Sequence, residues 1–361
     1  MNSLGREFII TVYGESHGRC VGVVIDGCPS GLPLTAADVQ ADIDRRRPGT
    51  GPAFTTRHEE NRVEILSGVL NDRTTGAPLN LIIWNNEFDN SDYERIAMTP
   101  RPGHADYTAH MKYGGFADRY GGGMFSGRMT AAGVMAGAVA RKLLAGVGIE
   151  IAGHTVEIGG IAAAPAAFSS VKTIAGKDTL RCADPAASAK MNELIAAARS
   201  EGDSLGGIIE GIAVGLPVGL GEPFFDTLEG DLAKALFSIP AVKGVEFGAG
   251  FNAARMKGSE HNDGFTLKEG QIITLSGNAG GILGGISNGM PLVVRVAVKP
   301  TPSISKEQQT VDLRERKDTV ITVKGRHDAC IVPRAVAAVE AMMAVILADF
   351  AVRAGIIPKV L

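Results

Sequence analysis

Apolar and polar positions change period several times along the chain, and each change marks an element. Phe8-Ile9-Ile10-Thr11-Val12-Tyr13 is a β-branched and aromatic run that predicts a strand, and Val21 to Asp26 predicts a second. Gly14-Glu15-Ser16-His17-Gly18 lies between them, so the chain starts with a strand–turn–strand unit. Thr35 with Asp38 has the form of a helix cap, and Val39 and Ile43 then share one helical face. That helix ends in Arg45-Arg46-Arg47 and is stopped by Pro48-Gly49. Val63 to Ser67 and Leu79 to Trp84 are further predicted strands. Ser126 to Leu144 has helical spacing up to Gly146, and helices are predicted again over Ala187 to Arg199 and Asp226 to Phe237. Leu292 to Val298 and Val320 to Val323 predict strands, and Pro333 opens a last long helix that Gly355 closes. Ser303 to Asp318 is polar and charge-dense and is expected to be a mobile loop.

Strands and helices do not alternate strictly, which favours an α+β layered fold over a doubly wound parallel sheet. No linker divides the chain, so residues 1–361 are expected to form one domain. A layout recurs: Gly121 to Gly127 carries Arg128 into an apolar helix, and Gly325-Arg326 precedes Arg334 at the head of another. This points to pseudo-symmetric halves.

Composition narrows the function classes. A hydrophobic content of 45% over 361 residues is ample for a large core. A net charge of -3 and 5% aromatics speak against a nucleic-acid partner, which needs a basic field or stacking platforms. Ala335 to Arg353 is the most apolar stretch, but Glu340 and Asp349 interrupt it, so it reads as a core helix and no membrane association is expected. Met1 to Tyr13 lacks a signal-peptide pattern. Cys20, Cys28, Cys182 and Cys330 are scattered and form no C-x-x-C pair, which fits reduced thiols and a cytoplasmic location. The 47 glycines suit tight turns and ligand contacts made by main-chain groups.

Several segments carry candidate chemistry. Gly14 to Gly18 matches the G-x-S-x-G elbow of serine hydrolases, but the elbow needs a helix after the turn, and here a strand follows. The turn also offers His17 as an acid or base. Arg45-Arg46-Arg47 complements a helix dipole, yet three cations exceed what capping requires and suit a phosphate or carboxylate. Arg101-Pro102-Gly103-His104-Ala105-Asp106 presents His104 from a pinned loop, where a structural histidine bonded to a loop carbonyl is the plain reading. His104, Asp106 and His110 could be read as metal ligands, but no H-x-x-x-H or H-E-x-x-H pattern completes a site, and no metal is expected. Gly121-Gly122-Gly123-Met124-Phe125-Ser126-Gly127-Arg128 opens a helix, where backbone N–H groups attract anions; it is neither a P-loop nor a Rossmann fingerprint. Ala279 to Gly285 and Lys299-Pro300-Thr301-Pro302-Ser303 could approach a planar cofactor and its phosphate, or could be plain turns. Gly325-Arg326-His327-Asp328 leads to Pro333-Arg334, so Asp328 is a candidate ionised carboxylate or a salt-bridge member. Together this inventory fits a small, multiply anionic substrate and a phosphate-bearing cofactor, and residue chemistry alone goes no further.

The motifs taken in order resemble the chorismate synthase family over essentially the whole chain. GESHG at 14–18, RRRPG at 45–49, RPGHADYT at 101–108, the run from Gly221 to Phe251, and GRHDACIVPRAV at 325–336 carry the resemblance. It implies an anti-1,4-elimination of phosphate from 5-enolpyruvylshikimate 3-phosphate to give chorismate, the last common step of the shikimate pathway to the aromatic amino acids. It implies reduced FMN, which lends the substrate an electron and takes it back with no net redox change. It implies that His17 protonates or stabilises the reduced flavin, that His104 is the acid toward the leaving phosphate, and that Asp328 helps the flavin act as base. Arg45, Arg46, Arg128 and Arg334, with Ser126, are implied to clamp the substrate. FMN is implied to lie against Arg46, Met124, Phe125, Ser126, Pro240, Ala241, Gly284, Lys299, Pro300, Thr301, Pro302, Ser303 and Arg326. The resemblance also implies a homotetramer whose subunit is a β-α-β sandwich with sheets surrounded by helices.

The chain departs from the family pattern in places. The common glycine-rich loop reads GGGRSSARETA, whereas here Met124 and Phe125 replace an arginine and a serine, and Met129 replaces an acidic residue. Pro52 stands where many members have a basic residue implicated in binding NADPH, which leans toward an external source of reduced flavin.

Overall fold

The computed structural model describes residues 2–47, 53, 61–85, 93, 98–323 and 327–361. The β-branched runs pair into two five-stranded antiparallel sheets. The first contains β1 (Ser3–Leu4), β2 (Ile9–Gly14), β3 (Cys20–Asp26), β4 (Val63–Ser67) and β5 (Leu79–Trp84) in the order β1-β2-β3-β5-β4. The second contains β6 (Glu150–Ile158), β7 (Ile161–Ala162), β8 (Gly207–Val214), β9 (Val242–Phe247) and β10 (Leu292–Val298) in the order β9-β10-β8-β6-β7. Period-two burial follows: Leu292, Val294, Val296 and Val298 of β10 are all buried on one face, as are Val21, Val23 and Ile25 of β3.

Two long helices, α3 (Thr130–Ala145) and α6 (Val332–Arg353), fill the space between the sheets. The expected β-α-β sandwich is therefore present, with its long helices inside it rather than around it. Helices also cover the outer face of the second sheet, where Val171, Ala175 and Ala183 pack on Ala152 and Ile212. One continuous core joins both sheets and both long helices, from Phe8 to Ile357. Shorter helices complete the frame, among them α1 (Ala36–Arg46), α2 (Asp106–Lys112), α4 (Pro185–Ser200) and α5 (Leu228–Phe237).

Local signals set the helix ends. Thr35 and Asp38 form the expected reciprocal cap of α1. Asp184 caps α4 and Thr227 caps α5, so the latter starts two residues after the predicted Asp226. The buried charges inside α6 are partnered. Glu340 accepts from Gly153 N (2.7 Å) and pairs with Arg45 (2.6 Å) and Arg141 (3.3 Å). Asp349 Oδ1 accepts the backbone N–H groups of Arg6, Glu7 and Phe8 at 2.7–2.9 Å, tying the first sheet to the end of this helix.

Two expectations are corrected. Ser303 to Asp318 is not wholly loop: Gln308–Asp312 pairs with Lys317–Ile321 in an antiparallel hairpin, which also moves the strand predicted at Val320 to Val323. Only Ile321 of this hairpin is buried, so no alternation marked it. The central strands β6 and β8 were not predicted either. Each carries a glycine where α6 lies close: a Cβ at Gly153 would be 3.1 Å from Glu340 Cγ, and one at Gly211 would be 2.4 Å from Met343 Sδ.

The contact between α3 and α6 also depends on glycine. A Cβ on Gly137 would lie 2.3 Å from Ala341 Cβ and 2.5 Å from its Cα. Gly137→Ala is expected to lower stability by a net 1–2 kcal/mol, overpacking outweighing roughly 1 kcal/mol of gained helix propensity. Gly133→Ala meets only the flexible Met342 Sδ, at 3.2 Å, and should be nearly neutral. Urea midpoints of the two variants test this, and equal midpoints would show that the helices part at no cost.

Candidate active site

The two long helices open onto one cavity of about 330 Å³, with Arg128 just ahead of α3 and Arg334 in the first turn of α6. Of the repeated glycine–arginine–helix layout, Arg128 and Arg334 thus meet at one cavity, while Gly325 and Arg326 lie outside the described residues. His17, Arg46, Arg101, His104, Ser126, Arg128, His327, Asp328 and Arg334 line it. Four guanidinium groups and three imidazoles around so small a space make a site for a compact polyanion.

Each group is held from behind. Arg46, only 4% exposed, donates to Thr130 Oγ1 and Gly127 O, both at 2.8 Å. Arg128 Nε and Nη2 donate to Asn85 Oδ1 at 3.1 and 3.0 Å, and Nη1 donates to Asn61 Oδ1. Arg334 pairs with the buried Asp328 at 2.6 Å. Arg101 grips Asp106 through two nitrogens at 2.7 and 2.8 Å and lies over the Tyr93 ring. Burial pushes the Asp106 carboxyl up, but the hydrogen bonds and charge of Arg101 outweigh this and hold it below the ordinary range. Asp106 is thus committed to Arg101, which removes it from the metal-ligand reading.

His17 sits in the turn between β2 and β3, edge-on to Tyr93 at 5.3 Å. A strand follows the turn, so Ser16 is not at a hydrolase elbow. Gly121, Gly122 and Gly123 take φ of 60°, 85° and 52°, which folds the glycine-rich loop back against His17. Gly123 O accepts from Ser16 N (3.2 Å), joining loop and turn. Ser126 Oγ then caps the short turn that leads into α3, accepting from Arg128 N.

His104 Nε2 is 2.7 Å from Ser303 Oγ. Burial, then the charge of Arg101, lowers its pKa to about 4; Lys299 and His327 act in the same direction and Asp106 opposes them. The imidazole is therefore neutral at pH 7.

A second cavity of about 700 Å³ adjoins the first, sharing His104, Gly121, Ser126, Pro240 and Thr301. Met124, Phe125, Pro240, Ala241 and Pro302 give it apolar walls, and Lys299 supplies a cation whose Nζ reaches Gly103 O. Burial, with Lys243 nearby, holds Lys299 below the ordinary lysine range. Thr301 Oγ1 is buried with no hydrogen-bond partner among the described residues. A hydroxyl without a partner among the described residues, a cation and apolar walls fit a flavin mononucleotide.

Not every predicted residue meets the cavities. Arg45 turns the other way, to Asp42 (3.1 Å) and Glu340 (2.6 Å), because neighbours on a helix point about 100° apart. Gly284 lies in the tight turn of the hairpin that pairs Ile282 with Ser287, and it lines neither cavity. Pro300 is exposed and lines neither cavity. Arg326 and Pro52 lie outside the described residues. Sequence reading missed Asn85, Asn61 and Tyr93, whose neutral side chains carry no motif, and it gave Arg101 no role of its own.

Comparison with known proteins agrees with this geometry. Residues 8–352 match the family model of chorismate synthase. Chorismate synthase of Dehalococcoides mccartyi is 58% identical over 360 residues, covering 100% of this chain and 99% of that one. The Methanosarcina barkeri enzyme is 55% identical over 356 residues, covering 99% and 97%. A crystal structure of chorismate synthase superposes with a TM-score of 0.75 at 31% identity, covering 97% of this chain and 93% of that one. Full-length identity at this level, on the same fold and with the anion-lined cavity described above, shows that the chain belongs to the chorismate synthase family, the phosphate-eliminating lyases that require reduced FMN.

Proposed function

We propose that the smaller cavity binds 5-enolpyruvylshikimate 3-phosphate and that the larger one holds reduced FMN against it. The observation that carries this reading is the meeting of Arg46, Arg128 and Arg334 with His17 and His104 in one cavity that opens into an apolar slot. Met124, Phe125, Pro240, Ala241 and Lys299 would hold FMN there, and the reduced cofactor would supply the electron that helps phosphate depart and would take it back, with no net redox change.

The chain's own residues do the rest. Arg46, Arg128 and Arg334 hold the phosphate and carboxylates, and Ser126 adds a hydroxyl. Fixed cations in a dry site stabilise the charge that grows on the leaving phosphate, and they need no reorganisation as it does so. His104 gives the departing phosphate a proton. His17, beside the Gly121 that both cavities share, would protonate or stabilise the reduced flavin. Asp328 orients Arg334 and would help the bound flavin act as base toward the ring. Met124, Phe125, Pro240, Ala241, Lys299, Thr301, Pro302 and Ser303 make up the cofactor side. The continuous core supports one domain over residues 1–361, and the four unpaired cysteines support a cytoplasmic location. Exposed Phe116, Phe224 and Phe225 support the homotetramer, which light scattering tests by mass.

An anaerobic assay tests the reaction. Chorismate should form from the purified protein and substrate only when FMN is reduced, by dithionite or by an external reductase. Equal rates with oxidised FMN, or with none, would refute the reading. Omitting the reductant and adding NADPH alone asks whether the chain reduces its own flavin.

A further inference from the structure

We infer that Asn85 is a positioning residue that keeps His17 and Arg128 in register. It follows the last residue of β5, beside the turn that joins β2 to β3. Its backbone N–H donates to Arg19 O at 3.0 Å. Its Nδ2 donates to three carbonyl oxygens of the turn, those of Glu15 (3.0 Å), Ser16 (3.1 Å) and Gly18 (2.8 Å), which bracket His17. Its Oδ1 accepts from Arg128 Nε at 3.1 Å and Nη2 at 3.0 Å.

A primary amide has two N–H donors and one two-lone-pair oxygen, so this side chain is used to capacity, with one donor shared. Its orientation is set by its partners: turned over, it would put oxygen against three carbonyls and NH₂ against a guanidinium. Among the described residues the turn is otherwise held by backbone hydrogen bonds. Its backbone bonds, Glu15 N to Cys20 O (3.3 Å), Gly18 N to Glu15 O (3.2 Å) and Ser16 N to Gly123 O (3.2 Å), are all long. One neutral side chain thus connects the proposed proton group to the proposed anion clamp. A carboxylate there would keep the Arg128 contact and repel the carbonyls. An alanine would lose both.

The inference rests on the reading of His17 and Arg128 as groups of the reaction, and a double-mutant cycle separates the two ideas. Asn85→Ala should lower kcat about 100-fold, the scale of a 1 Å misplacement, and also raise KM. Amide hydrogen exchange over residues 15–18 should quicken. In a His17→Ala background the same change should cost little further kcat, and in an Arg128→Ala background it should raise KM little further. Wild-type constants in both His17→Ala and Arg128→Ala would bring down the site reading itself. Impaired single variants whose costs multiply in full with Asn85→Ala would overturn only the inference, as would unchanged exchange in the turn. Asn85→Asp covers the case in which the alanine variant folds poorly. It keeps volume and the Arg128 acceptor, so kcat should fall while KM stays within a few-fold. Equal losses in both constants would count against positioning.

Discussion

Replacing His104 with alanine is expected to lower kcat by about 10²–10⁴-fold, the usual contribution of a general acid, with a much smaller change in KM. The reason lies in what surrounds the imidazole. Burial and the charge of Arg101 hold its pKa near 4, so in the free protein it carries no proton to give at pH 7. A phosphate dianion arriving beside it reverses the balance, because an opposite charge within a few ångströms favours the protonated ring. Substrate binding should therefore take up a proton, and affinity should strengthen as pH falls from neutrality toward about 6, where the phosphate dianion itself starts to protonate. Calorimetry in buffers of different ionisation enthalpy reads this uptake directly, and His104→Ala should abolish it. A variant that turned over like wild type, or bound substrate with the same proton uptake, would remove His104 from the chemistry. The same shift has a consequence for folding. Because the folded pKa lies below the ordinary 6.5, the stabilising effect of a neutral His104 is complete above that value and is lost as pH falls through about 4.

Gly121→Ala should be nearly as damaging, and through geometry alone. A Cβ at this position would lie 2.3 Å from His17 Cδ2, 2.6 Å from its Nε2 and 2.8 Å from Ser16 Oγ. The imidazole has to move, and a displacement of about 1 Å at a reacting group costs on the order of 100-fold in turnover. The φ of +60° adds a backbone penalty of about 1–2 kcal/mol. Gly122→Ala separates the two effects. Its φ is +85°, but its Cβ would meet Ser126 Cβ at an ordinary 3.7 Å. Both variants should lose thermal stability, whereas only Gly121→Ala should lose most of its turnover. Equal turnover in the two would mean that the glycines serve the loop and not His17.

Much of the site could be read from the sequence because its residues come in short, dense motifs. The turn at 14–18, the loop at 101–106, the glycine-rich loop and the head of the last helix all reach the cavities in the structure. What escaped were partners without chemistry of their own. Asn85 meets Arg128 from 43 residues away and Asn61 meets it from 67. Arg45 and Arg46 are adjacent and chemically identical, yet one enters the cavity and the other locks α1 to Glu340 in the core. Met124 and Phe125, departures from the common loop, remain on the wall of the larger cavity, since three glycines set the loop's path.

By itself, the sequence determined the local frame: the reciprocal cap at Thr35 and Asp38, the long helix opened by Pro333, the alternating strand of Leu292 to Val298, and the left-handed glycines ahead of Arg128. These depend on neighbours a few residues apart, where caps, periods and φ preferences act. The tertiary structure alone decided the order of strands, the place of the long helices between the sheets, and the way Asn85 joins His17 to Arg128. Those outcomes depend on which faces are buried against each other, and the direction of a side chain is set by the packing around it rather than by its position in the chain.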